Sequence, residues 1–198
     1  YKKTPEGLVD EVAEYAKEFR RLGRYVEFMG WDAFRVPADY FEKFFRLFAK
    51  KVDVDRITVA DTFGMSHPLA MFRHIRKLKE WTGKPIGLHI HNDFGLATAN
   101  SVMAVSAGAD MVHTSVNGIG ERTGNVATEE VTLALQHLFD IDCGVDLSKL
   151  ANVSEIVSEI SKVERARNKP VGGSGIFEVE SGIIVHVIES LAKTELGR

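Results

Sequence analysis

Short stretches of strand-forming residues alternate with amphipathic helical stretches along most of this chain. Strands are predicted at residues 25–29, 56–60, 86–91 and 110–116. Helices are predicted from Thr4 to a terminating Gly23 and then over residues 37–50, 67–81, 96–107 and 128–138. Strands and helices that alternate with a period of roughly 30 residues are typical of βαβ units, which build a parallel sheet covered by helices. The sequence therefore predicts an α/β domain with four βα units.

Four strands limit the possible architectures. A closed (β/α)8 barrel needs eight strands and about 250 residues, whereas this chain has 198 residues. The pattern is compatible with half of a barrel, with an open doubly wound sheet, or with a fragment of a longer protein. The first residue is Tyr1 rather than methionine, which is consistent with a processed chain or a fragment.

The alternation ends after Asp146, where a different pattern begins. Helices are predicted over residues 147–167 and 181–191, with a flexible glycine-rich link at residues 172–175 between them. We therefore expect two parts, the βα domain at residues 1–142 and a helical linker or subdomain at residues 143–198.

Composition argues against several classes of protein. The net charge of −3 predicts no broad basic surface for nucleic acid or an anionic membrane. The sequence has no apolar run of about 18 residues, so no membrane span is predicted. A single cysteine, Cys143, excludes an internal disulfide and fits a reducing, cytoplasmic compartment.

Two histidines separated by one residue occupy the end of the third predicted strand. Side chains two residues apart leave the same face of a strand, so His89 and His91 can bind one divalent cation together. The alternative is a pair of histidines that are hydrogen-bonded inside the protein. Asn92 and Asp93 come next, and they can orient metal-bound imidazoles or cap the following helix.

Polar residues also follow the second and fourth predicted strands. After the fourth strand, a glycine-rich loop contains Glu121 and Arg122 and ends in Asn125, whose amide oxygen can bind a hard cation. After the second strand, Asp61 is followed by Thr62, which can donate to a substrate carboxylate. Taken singly, each of these two segments is better explained as an ordinary turn or helix cap. Because the carboxyl ends of barrel strands open on one rim, we expect all of these segments to meet there.

The three strand-end motifs together resemble a known enzyme family. They read Ala60-Asp61-Thr62-Phe63-Gly64, Leu88-His89-Ile90-His91-Asn92-Asp93-Phe94-Gly95-Leu96-Ala97 and Val116-Asn117-Gly118-Ile119-Gly120-Glu121-Arg122-Thr123-Gly124-Asn125. In order and spacing they are similar to the last three such motifs of the α-isopropylmalate, homocitrate and citramalate synthases, which are HMG-CoA-lyase-like metal-dependent TIM barrels. The resemblance covers residues 5–190. It implies the second half of a (β/α)8 TIM barrel, with four βα units, followed by a helical post-barrel segment.

The resemblance also implies an activity, namely a metal-dependent acyltransferase that condenses acetyl-CoA with an α-keto acid. The implied metal ligands, for Mg, Mn or Zn, are His89, His91 and Asn125. The implied catalytic residues are Thr62, Glu121 and Arg122, of which the last two would shape the loop near the metal. The implied substrate-binding residues are Thr58, Asp61, Thr62, Asn92 and Asp93. Since a half barrel leaves strand edges and apolar surface uncovered, a homo-oligomer is expected as well.

Several positions depart from the family pattern and keep two alternatives open. The Arg-Asp pair of the family's first strand, whose aspartate is a metal ligand, has no equivalent here, so the chain alone is expected to be inactive. Trp31 stands where the family usually has a glutamate, and Val179 and Ile184 replace two histidines, which favours a divergent member or a non-catalytic paralogue. The other alternative is an HMG-CoA-lyase-like enzyme. Such a lyase would have a cysteine in the glycine-rich loop, and Cys143 lies outside it.

Overall fold

A parallel sheet of four strands forms the centre of the protein. The structure is a computed structural model that describes residues 3–192. The strands are β1 (Glu27–Gly30), β2 (Arg56–Asp61), β3 (Ile86–Ile90) and β4 (Met111–His113). Their order in the sheet follows their order in the chain, and every neighbouring pair is parallel. This arrangement confirms the predicted α/β class with four βα units.

The helices precede and follow the strands as the sequence pattern indicates. They are α1 (Pro5–Arg21), α2 (Ala38–Lys51), α3 (Pro68–Thr82), α4 (Ala97–Ser106), α5 (Thr128–Phe139), α6 (Leu150–Ser161) and α7 (Gly182–Ala192). Helices α1 to α5 contact one another in sequence order, which places them in a continuous layer. Across residues 3–192, the structure contains no helix whose length and apolar character suit it to span a membrane.

The two faces of the sheet differ in chemistry. One face carries fully buried apolar side chains that pack into the helical core, namely Ile57, Val59, Ile86, Leu88 and Ile90. Because side chains alternate along a strand, the residues between them belong to the opposite face. There the Thr58 hydroxyl donates to Glu27, and a Cβ on Gly87 would lie only 2.2 Å from Thr58 Oγ1. The opposite face thus combines polar groups with a glycine that leaves them room.

Three boundaries predicted from the sequence were wrong. The fourth strand ends at His113 rather than at residue 116. Residue 116 instead begins a 3₁₀ turn (Val116–Gly118), in which Asn117 adopts a left-handed φ of 63°. Residues 147–167 do not form a single helix, because α6 follows a 3₁₀ turn and ends where Lys162 adopts a φ of 59°. The first strand begins at Glu27, two residues later than predicted.

The glycine-rich link at residues 172–175 is a packed turn rather than the flexible segment predicted. Gly172 and Gly173 are both buried. The Gly173 N–H donates to the Lys169 carbonyl at 2.9 Å, and the Gly172 carbonyl accepts from Arg165 at 3.0 Å. Hydrogen bonds on both sides of the turn therefore hold it against the preceding part of the chain.

Candidate metal centre

The imidazoles of His89 and His91 converge at the end of β3. Their Nε2 atoms lie 3.3 Å apart. Two nitrogen ligands at about 2.1 Å from one cation, in near-tetrahedral geometry, are separated by about 3.4 Å. Burial, followed by the neighbouring His91 and His113, lowers the pKa of His89 and favours its neutral form. Neutral imidazole is the form that binds metal ions, so this pair fits a divalent cation.

Asn125 is the third residue of the candidate centre. Its backbone forms an isolated antiparallel bridge with His91. The side-chain Nδ2 donates to the Ile119 carbonyl at 3.1 Å, which fixes the orientation of the amide. Its Oδ1 is buried and has no hydrogen-bond partner among the residues described. A buried acceptor without a donor is unusual, and a hard cation would satisfy it.

The donor set present in the described residues is small. Residues 3–192 hold no cluster of three or more histidine, cysteine, aspartate or glutamate side chains with the geometry of a metal site. The candidate centre therefore consists of two imidazoles and one amide oxygen. Such a mixed nitrogen and oxygen set suits several divalent cations, and it leaves coordination positions for other ligands.

The glycine-rich loop holds Asn125 in place through close backbone contacts. The Asn125 N–H donates to the Gly118 carbonyl at 3.1 Å, and the Gly124 N–H donates to the Glu121 carbonyl at 2.8 Å. Gly124 has a φ of +87°, and a Cβ there would lie 1.8 Å from the Gly118 carbonyl oxygen. Only glycine fits that position, so its presence is a condition for this loop shape.

Arg122 connects three of the strand-end loops. Its Nε and Nη2 donate to the two carboxylate oxygens of Asp93 at 2.8 and 2.9 Å. Nη2 also donates to the Thr62 carbonyl, and the guanidinium lies 5.3 Å from the centre of the Phe63 ring. The hydrogen bond from Arg122 lowers the pKa of Asp93. Glu121 is exposed, and its carboxylate lies 3.8 Å from Arg122 Nη1.

We expect replacement of Arg122 with methionine to destabilise the protein in a pH-dependent way. The pair with Arg122 favours ionised Asp93, whose folded-state pKa is lowered from the ordinary value of 3.8. The contribution of the Arg122–Asp93 pair to the free energy of unfolding is fully present above the unfolded-state value. It is lost as the pH falls through the lower folded-state pKa of Asp93. Urea unfolding at about pH 6 and at about pH 3 should therefore show a larger difference from the wild type at the higher pH.

The control for this prediction is Arg21→Met. Arg21 also pairs with a carboxylate through two nitrogens, but its partner Glu18 lies three residues away on the same exposed helix face. This variant should be destabilised much less at about pH 6, because exposed pairs within one helix contribute little. Equal losses in both arginine variants, or a loss in Arg122→Met that is the same at both pH values, would contradict the role of Arg122 as a connector.

The residues at the end of β2 are held by hydrogen bonds within their turn and from the loop after β1. Thr62 Oγ1 accepts from the Asp32 N–H at 2.9 Å, so its hydroxyl proton remains available for another acceptor. The Asp61 carboxylate accepts from the N–H groups of Met65 and Ser66, both at 3.0 Å. Burial raises the pKa of Asp61, although these two bonds oppose the shift. Thr58 is fully buried one layer below, with its hydroxyl donated to Glu27.

Asn92 links the β3 end to two neighbours. Its Oδ1 accepts from the Ala97 N–H at the start of α4 at 3.1 Å, although the N-cap position of that helix is Leu96. Its backbone N–H donates to the Gly124 carbonyl at 3.0 Å, which ties it to the glycine-rich loop. The two histidines thus converge, and Asn125 is bridged to His91 through its backbone, whereas Asn92 holds the surrounding backbone.

Two residues near the centre were missed in the sequence analysis. His113 pairs in register with His89 on the neighbouring strand, and their ring centres lie 5.7 Å apart. Glu129 is 1% exposed and accepts a hydrogen bond from the Asn117 N–H. A register alignment of the last two strands could have found His113, because parallel strands place such residues side by side. Nothing in the local sequence singles out Glu129.

Comparison with known proteins places the chain in a family. The profile of the HMGL-like family matches residues 1–157. The chain belongs to the HMGL-like family. Homocitrate synthase AksA of Methanopyrus kandleri is 43% identical over 183 residues, which are 92% of this chain and 45% of that protein. The 2-isopropylmalate synthase of Methanocaldococcus jannaschii is 39% identical over 195 residues, which are 98% of this chain and 37% of that protein.

A third relative and a solved structure extend the comparison. The 2-isopropylmalate synthase of Saccharolobus solfataricus is 40% identical over 192 residues, 96% of this HMGL-like chain and 50% of that protein. The chain thus spans half or less of these three relatives. The crystal structure of Bacillus subtilis HMG-CoA lyase matches with a TM-score of 0.66 at 22% identity, over 81% of this chain and 57% of that one. This likeness concerns the fold, and it agrees with the predicted partial TIM barrel.

Proposed function

We propose that this HMGL-like chain is the carboxyl-terminal half of a catalytic barrel whose enzyme condenses acetyl-CoA with a 2-oxo acid. In this proposal residues 1–142 belong to the barrel and residues 143–198 form a helical segment after it. The proposal is supported by the relatives named as homocitrate and 2-isopropylmalate synthases, at 43% and 39% identity. The observation that carries it is the pair of Nε2 atoms 3.3 Å apart, together with the buried, unpartnered oxygen of Asn125, a residue bridged to His91 through its backbone.

In the proposed site, His89 and His91 would provide two nitrogen ligands and Asn125 an oxygen ligand to a Mg, Mn or Zn ion. When bound, this ion would supply Lewis-acid polarisation of the keto oxygen. The remaining ligands would come from the substrate and from parts of the barrel outside these residues. For that reason we propose that the chain by itself is inactive.

The protein's own groups would orient the 2-oxo acid. The Thr62 hydroxyl proton is uncommitted, since its oxygen accepts from Asp32, and in our proposal it is donated to the substrate carboxylate. Arg122 and Asp93 would keep the loop that carries Thr62 at a fixed distance from the glycine-rich loop. Charged hydrogen bonds of this bidentate kind are strong and directional, which suits a positioning role.

In this proposal the other predicted substrate-binding residues shape the site and do not contact the substrate. Asp61 and Asn92 would keep their turns in shape, because their oxygens accept backbone N–H groups. Thr58 would lie beneath the proposed substrate site, since it is fully buried and hydrogen-bonded to Glu27. Glu121 would remain at the solvent-exposed edge of the loop.

We also propose that the protein forms a homo-oligomer, because strand edges and apolar side chains are left uncovered. β1 and β4 are the edge strands of the sheet. Several apolar side chains of α7 are exposed, among them Ile183 at 77% and Ile188 at 50%. Open strand edges and exposed apolar patches are surfaces that other chains cover. We propose a cytoplasmic homo-oligomer, and light scattering of the full-length protein would test its size.

The activity is tested with the full-length protein after removal of bound metal. CoA release from acetyl-CoA is followed with a thiol reagent, in the presence of 2-oxo acids that differ in side-chain length and with Mg²⁺, Mn²⁺ or Zn²⁺ added. We expect CoA release to require both a 2-oxo acid and a divalent cation. Cation binding without CoA release would indicate the non-catalytic paralogue. Cleavage of a hydroxyacyl-CoA, without condensation, would indicate the lyase.

A further inference from the structure

A partly buried polar cluster connects the glycine-rich loop to the segment that follows the sheet. We call it the joint, and it consists of Asn117, Glu129, Ser154, Arg165 and Lys169. These residues come from the 3₁₀ turn after β4, from α5, from α6 and from the chain beyond α6. The joint includes neither the candidate metal ligands nor Arg122 and its partner Asp93.

Glu129 and Lys169 form the charged part of the joint. Glu129 is 1% exposed, and its Oε1 lies 3.1 Å from Lys169 Nζ. Lys169 Nζ also lies 2.5 Å from Glu130 Oε1. Burial alone would lower the pKa of Lys169, but the bonds to Glu130 and Glu129 outweigh it and raise that pKa. The lysine is therefore a charged partner held inside the protein by two carboxylates.

Asn117 forms the uncharged part of the joint. Its Nδ2 donates to the Ser154 carbonyl at 2.8 Å, and its Oδ1 accepts from the Ser154 hydroxyl. Arg165 donates to Ser154 Oγ at 3.2 Å and to the Gly172 carbonyl at 3.0 Å. Ser154 is fully buried, so α6 and the Arg165–Gly173 segment meet at this point.

A continuous path leads from this joint to the amide of Asn125. The second oxygen of Glu129, Oε2, accepts from the Asn117 backbone N–H at 3.0 Å. Asn117 has a left-handed φ of 63°, and it is followed by Gly118 with a φ of 68°. The Gly118 carbonyl then accepts from the Asn125 N–H at 3.1 Å. The contact between Lys169 and Glu129 Oε1 is an ion pair at 3.1 Å without a hydrogen bond, and every later step is a hydrogen bond or a covalent connection. The position of Lys169 therefore bears on the turn that places Asn125.

We infer that Glu129 and Lys169 are positioning residues for the Asn125 ligand, so that the metal site reaches full affinity only when the Arg165–Gly173 segment is docked. The inference rests on the metal site of the proposed function. Outer partners that orient metal ligands typically change metal affinity by about 10- to 100-fold when they are mutated. The joint gives the segment after the sheet a direct role in building the site.

The test is Mn²⁺ binding by the full-length protein, measured by titration calorimetry and by the electron paramagnetic resonance signal of free Mn²⁺. Lys169→Met should weaken binding by about 10- to 100-fold, and Lys169→Arg, which keeps the charge, should restore most of it. Lys149→Met is the control, because Lys149 pairs only with exposed Asp146, at 3.6 Å, and lies outside the joint. Its Mn²⁺ affinity should stay within about twofold of the wild type.

Unchanged Mn²⁺ affinity in a folded Lys169→Met protein would overturn the inference. Where Lys169→Met does not fold, Glu129→Gln keeps the side-chain shape, removes the charge and weakens the bond to Asn117. It should lower the affinity by about tenfold, and no change there would also overturn the inference. His91→Ala, measured in parallel, separates the two failures. If His91→Ala weakens binding and the joint variants do not, only the joint proposal fails; if His91→Ala has no effect, the metal site itself fails.

Discussion

Replacement of His91 with alanine is expected to abolish tight Mn²⁺ binding and to reduce the condensation rate on the order of 10³-fold. Lewis-acid stabilisation of a developing charge amounts to several kcal/mol, and each 1.4 kcal/mol corresponds to about tenfold in rate. His91 is 7% exposed and its Nε2 lies 3.3 Å from that of His89, so its replacement removes one of the two proposed nitrogen ligands. Calorimetric titration with Mn²⁺ and the CoA-release assay measure the two effects.

The control for this variant is His137→Ala. His137 lies in the last turn of α5 and is exposed, so its removal should leave both Mn²⁺ affinity and CoA release close to those of the wild type. His89→Ala should match His91→Ala, because each removes one of the two nitrogens. A His91→Ala protein that binds Mn²⁺ with wild-type affinity would show that the two imidazoles are only a hydrogen-bonded pair.

The fold was predictable where the pattern is local and periodic. The apolar residues of β2 and β3 and the aromatic residues of α2 signal a buried strand or helix face within a few positions. The end of β4 was not predictable, because the chain turns where Asn117 adopts a left-handed conformation that Glu129 and Ser154 stabilise. Those partners lie 12 and 37 residues further along the chain.

The candidate site was likewise predictable from the sequence only where its residues are close together in the chain. His89 and His91 are two apart on one strand, so their convergence follows from strand geometry alone. Arg122, by contrast, pairs with Asp93, 29 residues earlier, at 2.8 Å. Only the register of neighbouring strands brings Asp93 to Arg122, and no local pattern contains that information.

Polar atoms with and without partners distinguish two kinds of residue at this rim. The oxygens of Asp61 and Asn92 accept backbone N–H groups, so these residues shape the loops. The Oδ1 atom of Asn125 is buried and unpartnered within the described chain, and so are the Nδ1 atoms of His89 and His91. Because burying an unsatisfied polar group is costly, the free Oδ1 of Asn125 indicates a site that a ligand completes, whereas the Nδ1 atoms face away from a cation bound by the two Nε2 atoms.

Replacement of Gly124 with alanine is expected to destabilise the protein by at least about 3 kcal/mol and to weaken Mn²⁺ binding on the order of 10²-fold. The added Cβ would lie 1.8 Å from the Gly118 carbonyl oxygen, so the backbone at one of these two positions has to move by more than an ångström. That carbonyl also accepts the Asn125 N–H, so the movement displaces the proposed ligand. Urea unfolding and Mn²⁺ titration measure the two effects.

Gly144→Ala separates this steric effect from the general cost of a left-handed residue. Gly144 has a φ of +66°, but no atom lies within 4 Å of an added Cβ. Its replacement should therefore cost only about 1 to 2 kcal/mol and should leave Mn²⁺ affinity unchanged. If both glycine variants lose the same stability and neither loses Mn²⁺ affinity, then the contact between Gly124 and Gly118 does not place Asn125. A loss of affinity confined to Gly124→Ala would instead show that the closeness of the loop backbone builds the metal site.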